Sequence, residues 1–189
     1  VKKINIHPTI EDALSDLLTD KKLVETPDRK GFKSSNYQSI NSNYQKLMRQ
    51  DIANNIELPN SHSFAKHSDK IIKRFAYIQS ISSVCKNIPQ RIKEELGITK
   101  QVLIPLKSDE QAPTITSHPD DMIHYKEPRI LTVREYARLQ SFPDSFIFKG
   151  KYTTGGKLRK VEVPRYTQIG NAIPPLFGEQ AGIVLKQLL

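Results

Sequence analysis

The sequence predicts an α+β fold, rich in helix and carrying only a small irregular sheet. Apolar residues recur at helical spacing in several capped segments, while the strand-like runs are few, short and interrupted by proline. No strand–helix–strand alternation appears, so a doubly wound parallel sheet is not expected. The 189 residues suffice for one ordinary domain or for one lobe of a larger enzyme.

Thr9 stands three residues before Asp12 as a side-chain cap, and Ile10, Ala13, Leu14, Leu17 and Leu18 follow at helical spacing. Residues 25–65 are rich in Ser, Asn, Gln and Lys around Tyr37, Tyr44, Leu47 and Met48, which leaves a polar helix near 36–53 and a loop as open alternatives. A better helix begins at Ser68. In it Ile71, Ile72, Phe75, Ala76 and Ile78 make one side, and Lys70, Lys73 and Arg74 project elsewhere. Pro89 and Gly97 bracket a further helix over 88–96. The runs QVLIPL at 101–106 and PTITS at 113–117 are the β-rich ones, limited to edges by Pro105 and Pro113.

Thr132 and Glu135 form a capping box for a helix over 132–142, which Pro143 is expected to stop. Arg129, Arg134 and Arg138 alternate with its apolar face. Forked guanidiniums suit bidentate contacts to carboxylates or phosphates, but spacing alone equally allows solvated arginines. Between Gly150 and Arg165, Gly155-Gly156 separates two segments able to form a hairpin, and Lys149, Lys151, Lys157, Arg159, Lys160 and Arg165 face Glu162 alone. At the end, Gly170 permits a tight turn, Asn171 can cap, and Pro174 and Pro175 pre-set a helical first turn. Leu176, Phe177, Ala181, Val184, Leu185 and Leu188 then form a stripe that must be buried against something.

Lys plus Arg minus Asp plus Glu is 29 − 20 = +9, which favours a polyanionic partner, nucleic acid first. The single cysteine, Cys85, cannot close an intramolecular disulfide, so the chain reads as cytoplasmic. No apolar run approaches the roughly 20 residues that span a bilayer. The first residue is Val, a hint of excision from something longer that initiator removal would equally explain. His7, His62, His67, His118 and His124 lack paired metal-ligand spacing, and no metal is expected.

RILTVREYARLQSFPDSF at 129–146 closely resembles motif IX of the cytosine-5 DNA methyltransferases, and QIGNAIPP at 168–175 resembles motif X of that family. PTITSHPDDMIHYKEPRILT at 113–132 is similar to the approach to motif IX, and TIEDALSDL at 9–17 to the segment after motif VIII. The middle of the chain matches poorly, as the family's variable target recognition region would. The resemblance implies a target recognition (small) domain over 1–167, in which Arg129, Thr132, Arg134, Glu135 and Arg138 are structural. It further implies that 168–189 forms a turn and helix packing on the catalytic domain, with Asn171, Ala172 and Ile173 lining the S-adenosylmethionine pocket. The implied partners are double-stranded DNA and an N-terminal catalytic domain or subunit.

Family members add a cysteine thiolate from a Pro-Cys motif to the pyrimidine ring, because its C5 is too weak a nucleophile alone. Here Cys85 follows Val84 in SSVCKN and is expected to be a small buried apolar residue. The Glu-Asn-Val string and the glycine-rich cofactor turn have no counterpart, the eight glycines containing no G-x-G. Gln90-Arg91-Ile92-Lys93 echoes motif VIII but lies mid-chain, and reads as a charged helix face. No catalytic residue is therefore expected in this chain. Lys70, Lys73, Arg74, Lys151, Lys157, Arg159, Lys160 and Arg165 are the candidate phosphate contacts. A stand-alone, non-catalytic DNA-binding module is the alternative, which the exposure of the last helix discriminates.

Overall fold

A computed structural model describes residues 7–53, 55–153 and 161–188. The first helix, α1 (Ile10–Leu14), carries the full capping box, Thr9 accepting from Asp12 and Asp12 reaching back to the cap. A 3-10 turn, Ser15–Leu17, continues it and buries Asp16 beside Leu17. Strands β1 (Val24–Glu25) and β2 (Lys33–Ser34) pair antiparallel. The polar helix near 36–53 shrinks to α2 (Asn43–Met48), because Ser42 caps it there. The backbone of 36–41 is bonded outward instead, Tyr37 N–H to Glu57 and Gln38 N–H to Asp16.

Helix α3 (Asp69–Ile81) buries Phe75 and Ile78, whereas Ile72 and Ala76, expected on the same side, are exposed. Helix α4 (Gln90–Glu95) begins after Pro89 and ends before Gly97, which adopts φ 61. Its face is not uniformly solvated: Lys93 is buried, with its ammonium on the carbonyl of Gln101. Strand β3 (Ile104–Pro105) pairs parallel with β4 (Met122–Ile123), in the register Ile104 to Met122 and Pro105 to Ile123. The expected strand at 113–117 does not form. That stretch serves as a floor under Gly170, where an added Cβ would lie 2.4 Å from the Thr116 carbonyl oxygen.

Helix α5 (Val133–Leu139) has its capping box but stops three residues short of the expected 142. Proline is not the stop. Ser141 takes φ 62, Phe142 N–H reaches the carbonyl of Ala137 and Ser141 N–H that of Arg138, a Schellman closure with serine in the usual glycine position. Helix α6 (Arg165–Gly170), unforeseen in the sequence, starts after Pro164, and α7 (Pro175–Lys186) starts after Pro174. The hairpin expected around Gly155-Gly156 lies outside the described residues, as do Lys157, Arg159 and Lys160.

The larger core packs α1, α5 and α6 with Leu106, Met122, Phe142, Phe148 and Tyr152, and the smaller packs α3 with Ile88, Leu103 and Ile123. A boundary between 167 and 168 would cut α6, whose Ile169 is fully buried in the larger core. Packing changes only beyond it: α7 has no buried residue.

Candidate functional site

Helix α5 is the hub. Its Arg138 is fully buried and donates through Nε and Nη2 to both Asp144 oxygens at 2.6 Å, and to Asp16 at 2.8 and 3.1 Å. Nη1 also donates to the Ala13 carbonyl, so α1 and the α5 exit are clamped by one guanidinium. Asp144 accepts in addition from the Tyr37 hydroxyl at 2.7 Å. Burial raises the Tyr37 phenol, and the adjacent Asp144 carboxylate raises it further.

Arg134, equally buried, donates to three main-chain carbonyls, those of Asn60, Pro143 and Phe146. It lines up loops and is spent on them. The arginines of this helix are therefore interior residues, because each finds carboxylates or carbonyls that local spacing cannot reveal.

Arg129 grips Glu135 with two 2.7 Å bonds and Glu127 with a third. Burial alone would lower the Arg129 pKa, and the two carboxylates more than offset it. Burial would raise Glu135, but Arg129 holds it well below the usual carboxylate range. Two fully buried histidines flank this pair. His62 Nδ1 lies 2.9 Å from the Thr132 hydroxyl, and His124 Nδ1 accepts from the main-chain N–H groups of Lys126 and Glu127. Accepting at Nδ1 leaves the proton of neutral His124 on Nε2, 3.6 Å from Glu135. Burial pushes His62 down to about 4 and His124 to about 3, so both are neutral at pH 7.

The expected DNA contacts divide. Lys70 and Lys73 are exposed on α3 and Arg74 is half-buried, and the described residues offer these three no ion-pair partner. Lys151 is exposed and pairs with Glu162 at 2.7 Å. Arg165 departs from the expectation: it is buried, its guanidinium bonded to Asp28, Ser61 and the Gly150 carbonyl and stacked 4.3 Å from the Tyr152 ring centroid. Those contacts leave it no face for a phosphate.

Cys85 is half-buried, its sulfur accepting from Lys107 N–H at 3.0 Å. Burial pushes the thiol up to about 11, so it is not a thiolate at neutral pH.

The turn at Asn171, Ala172 and Ile173 is held from behind and open in front. Gly170 sits tight on Thr116, and Gln140 donates to the Ala172 carbonyl at 2.8 Å. Leu176 N–H, at the start of α7, donates to the Ser141 hydroxyl. The Asn171 and Ile173 side chains are exposed. The turn thus presents an amide able to donate and accept beside an exposed apolar residue, on backbone fixed from one side.

Sequence reasoning missed the acidic half of this core. Asp16, Asp144 and Asp28 hold Arg138 and Arg165, and only Asp144, six residues from Arg138, was within reach of local pattern.

Comparison with known proteins gives one consistent result. A family model described as C-5 cytosine-specific DNA methylase matches residues 2–187. The chain is 32% identical over 127 residues to the Type II methyltransferase M1.HphI of Haemophilus parahaemolyticus, covering 67% of this chain and 31% of that protein. It is 44% identical over 87 residues to the Type II methyltransferase M.AquIB of Picosynechococcus, covering 44% of this chain and 63% of that one. A solved chain described as a DNA modification methyltransferase encoded within an Escherichia coli prophage superposes with a TM-score of 0.55 at 22% identity, over 92% of this chain and 44% of its own length. The chain thus spans about a third of M1.HphI and under half of that solved neighbour.

Proposed function

Since the chain belongs to the C-5 cytosine-specific DNA methylase family, we propose that it is the DNA-recognition part of a DNA (cytosine-5-)-methyltransferase and carries specificity without the methyl-transfer chemistry. The nucleophilic thiolate and the main cofactor turn reside on another stretch of polypeptide. The observation that carries this reading is α7, twelve residues long with none buried, on which Phe177 and Leu185 are 66% and 61% exposed, with Leu188 just beyond its end 78% exposed. A helix with that much apolar surface is built to be covered. The covering body is the catalytic domain or subunit bearing Pro-Cys, a dipeptide this sequence does not contain.

A base inside a duplex cannot enter an active site, so the lobe grips DNA while the target cytosine is turned out. Lys70, Lys73, Arg74 and Lys151, with Lys157, Arg159 and Lys160, contact phosphates and set the salt dependence. The Arg129, Arg134 and Arg138 network keeps α5 rigid and touches no base. Asn171, Ala172 and Ile173 form one edge of the S-adenosylmethionine pocket, the Asn171 amide bonding to the cofactor's amino-acid part. The bound cofactor supplies the methyl group. Among the described residues no helix is long and apolar enough to cross a membrane.

A separately encoded partner is favoured by M.AquIB. It is a short relative, since 87 aligned residues make up 63% of it. The test is reconstitution: this chain is mixed with a polypeptide carrying Pro-Cys and the glycine-rich turn, and labelled methyl transfer to duplex DNA is measured. Transfer by the mixture and none by either component is the expected result. Sustained methylation by this chain alone overturns the proposal.

A further inference from the structure

We infer that the outward face of α3 reads bases: Tyr77, Ser80 and Ile81 enter the major groove of the DNA and determine its sequence, while Lys70 and Lys73 hold the flanking phosphates. This rests on the recognition role proposed above and adds the element and residues that perform it.

Three observations support it. The first is a conflict between sequence and helix electrostatics. Lys70 lies in the first turn of α3, where the helix dipole disfavours a cation, Lys73 and Arg74 follow in the next turn, and Asp69 is the single first-turn acid. A helix that keeps cations where they cost stability, with no ion pair to offset them, has them for an anionic partner. The second is the composition of the face. At 100° per residue, Lys73, Tyr77 and Ser80 fall on the side away from Ile71, Phe75 and Ile78, which point into the smaller core, and Lys70 and Ile81 lie at the edge of that side. Tyr77 and Ile81 are each 45% exposed. The stripe thus runs from cationic to aromatic and apolar along a helix of 13 residues, about 20 Å, enough to cross a major groove about 12 Å wide. Tyr77 and Ile81 suit the thymine methyl, and the Ser80 hydroxyl, donating to the Tyr77 carbonyl, keeps lone pairs for a base amino group.

The third is the mounting. The Gln79 amide donates to the carbonyls of His124 and Glu127 at 2.6 and 3.0 Å, and Glu127 is bonded to Arg129. The reading face is thereby referenced to the buried network around α5, as a register-keeping element requires. The other exposed apolar helix, α7, lacks this character, carrying Glu179 against Lys186, and a protein surface suits it better.

The experiment is selection of bound duplexes from a randomised DNA library by the whole chain, for wild type, Tyr77→Ala, Ile81→Ala and Lys70→Gln/Lys73→Gln, with thermal melts confirming that each is folded. Tyr77→Ala and Ile81→Ala should relax preference about ten-fold at one or two positions. The double lysine variant should keep the preferred sequence and lower the slope of log affinity against log salt by about 2. A preference unchanged in both Tyr77→Ala and Ile81→Ala overturns the inference and leaves the recognition role standing. Wild type that binds no DNA overturns both, and leaves α3 as a protein-docking face.

Discussion

Helices α5 and α7 invert what their sequences suggest. The shorter, α5, holds three charged residues in seven and buries all three, Arg134, Glu135 and Arg138. The longer, α7, has the cleaner apolar stripe and buries nothing. Hydrophobicity locates a face that wants a partner, whereas burial depends on whether the partner is in the same chain. The charged helix is inside because Asp16, Asp144, Arg129 and the carbonyls of Asn60, Pro143 and Phe146 converge on it. Substitutions in α5 should therefore act on folding and substitutions in α7 on assembly.

The most damaging single change should be Arg138→Ala. It takes from buried Asp16 and Asp144 the guanidinium they share, leaving Asp16 to Arg49 and Asp144 to the Tyr37 hydroxyl, and breaking a buried pair costs about 3–5 kcal/mol. Urea denaturation should show the midpoint collapse, with Arg138→Lys rescuing it only in part, since one ammonium cannot serve two carboxylates at four points. A loss within 1 kcal/mol of zero would mean that the clamp is decorative.

Acid should reach the same core next. His62 and His124 are neutral and buried, with folded values of about 4 and 3 against about 6.5 unfolded. The unfolded chain therefore binds more protons between those values. Stability is complete above pH 6.5 and falls as pH drops, by about 2 kcal/mol per histidine between pH 7 and pH 5. Below about 4.5 the loss continues as Glu135, held well under the carboxylate range, loses its advantage over the unfolded state. Equal urea midpoints at pH 7 and pH 5 would contradict the assignment.

How much of this was legible depends on sequence separation. The capping boxes at Thr9 and Thr132 span three residues and were readable, as were the Pro89 and Gly97 limits around α4 and the Pro174-Pro175 start of α7. The parallel pairing of Ile104 with Met122 was not, because the connection carries no α-helix, only a 3-10 turn at Pro119–Asp121, and the strands are two residues long. Nor were the ion pairs of Arg138 with Asp16 and Arg165 with Asp28, which join residues 122 and 137 apart. Periodicity counts an arginine as polar and so as outward, and the +9 charge encouraged reading Arg165 as a DNA contact. The extent of α5 was hidden for another reason: Ser141 performs the left-handed turn that glycine would have advertised.

Gly170 joins the two regions, and it should show an intermediate effect. Gly170→Ala would place a methyl 2.4 Å from the Thr116 carbonyl oxygen, forcing the α6 end away from 116–117 at about 1–3 kcal/mol. Because the same turn presents Asn171 and Ile173, cofactor affinity of the reconstituted enzyme should fall along with the melting temperature. A variant that melts lower with unchanged affinity would separate the turn from the cofactor wall.

The smallest effect on stability, and the largest on assembly, belongs to α7. Phe177→Ser with Leu185→Ser removes two side chains more than 60% exposed, so the isolated chain should melt within about 0.5 kcal/mol of wild type. Binding to the catalytic polypeptide, followed by calorimetry, should weaken by at least ten-fold, since these side chains are the ones a covering surface would desolvate. If the doubly substituted chain instead loses stability on its own, the helix is already packed within this chain and needs no partner. If it associates and supports methylation as wild type does, the covered face lies elsewhere. Only a silent melt combined with lost association keeps α5 as the helix that holds the lobe and α7 as the helix that waits for another.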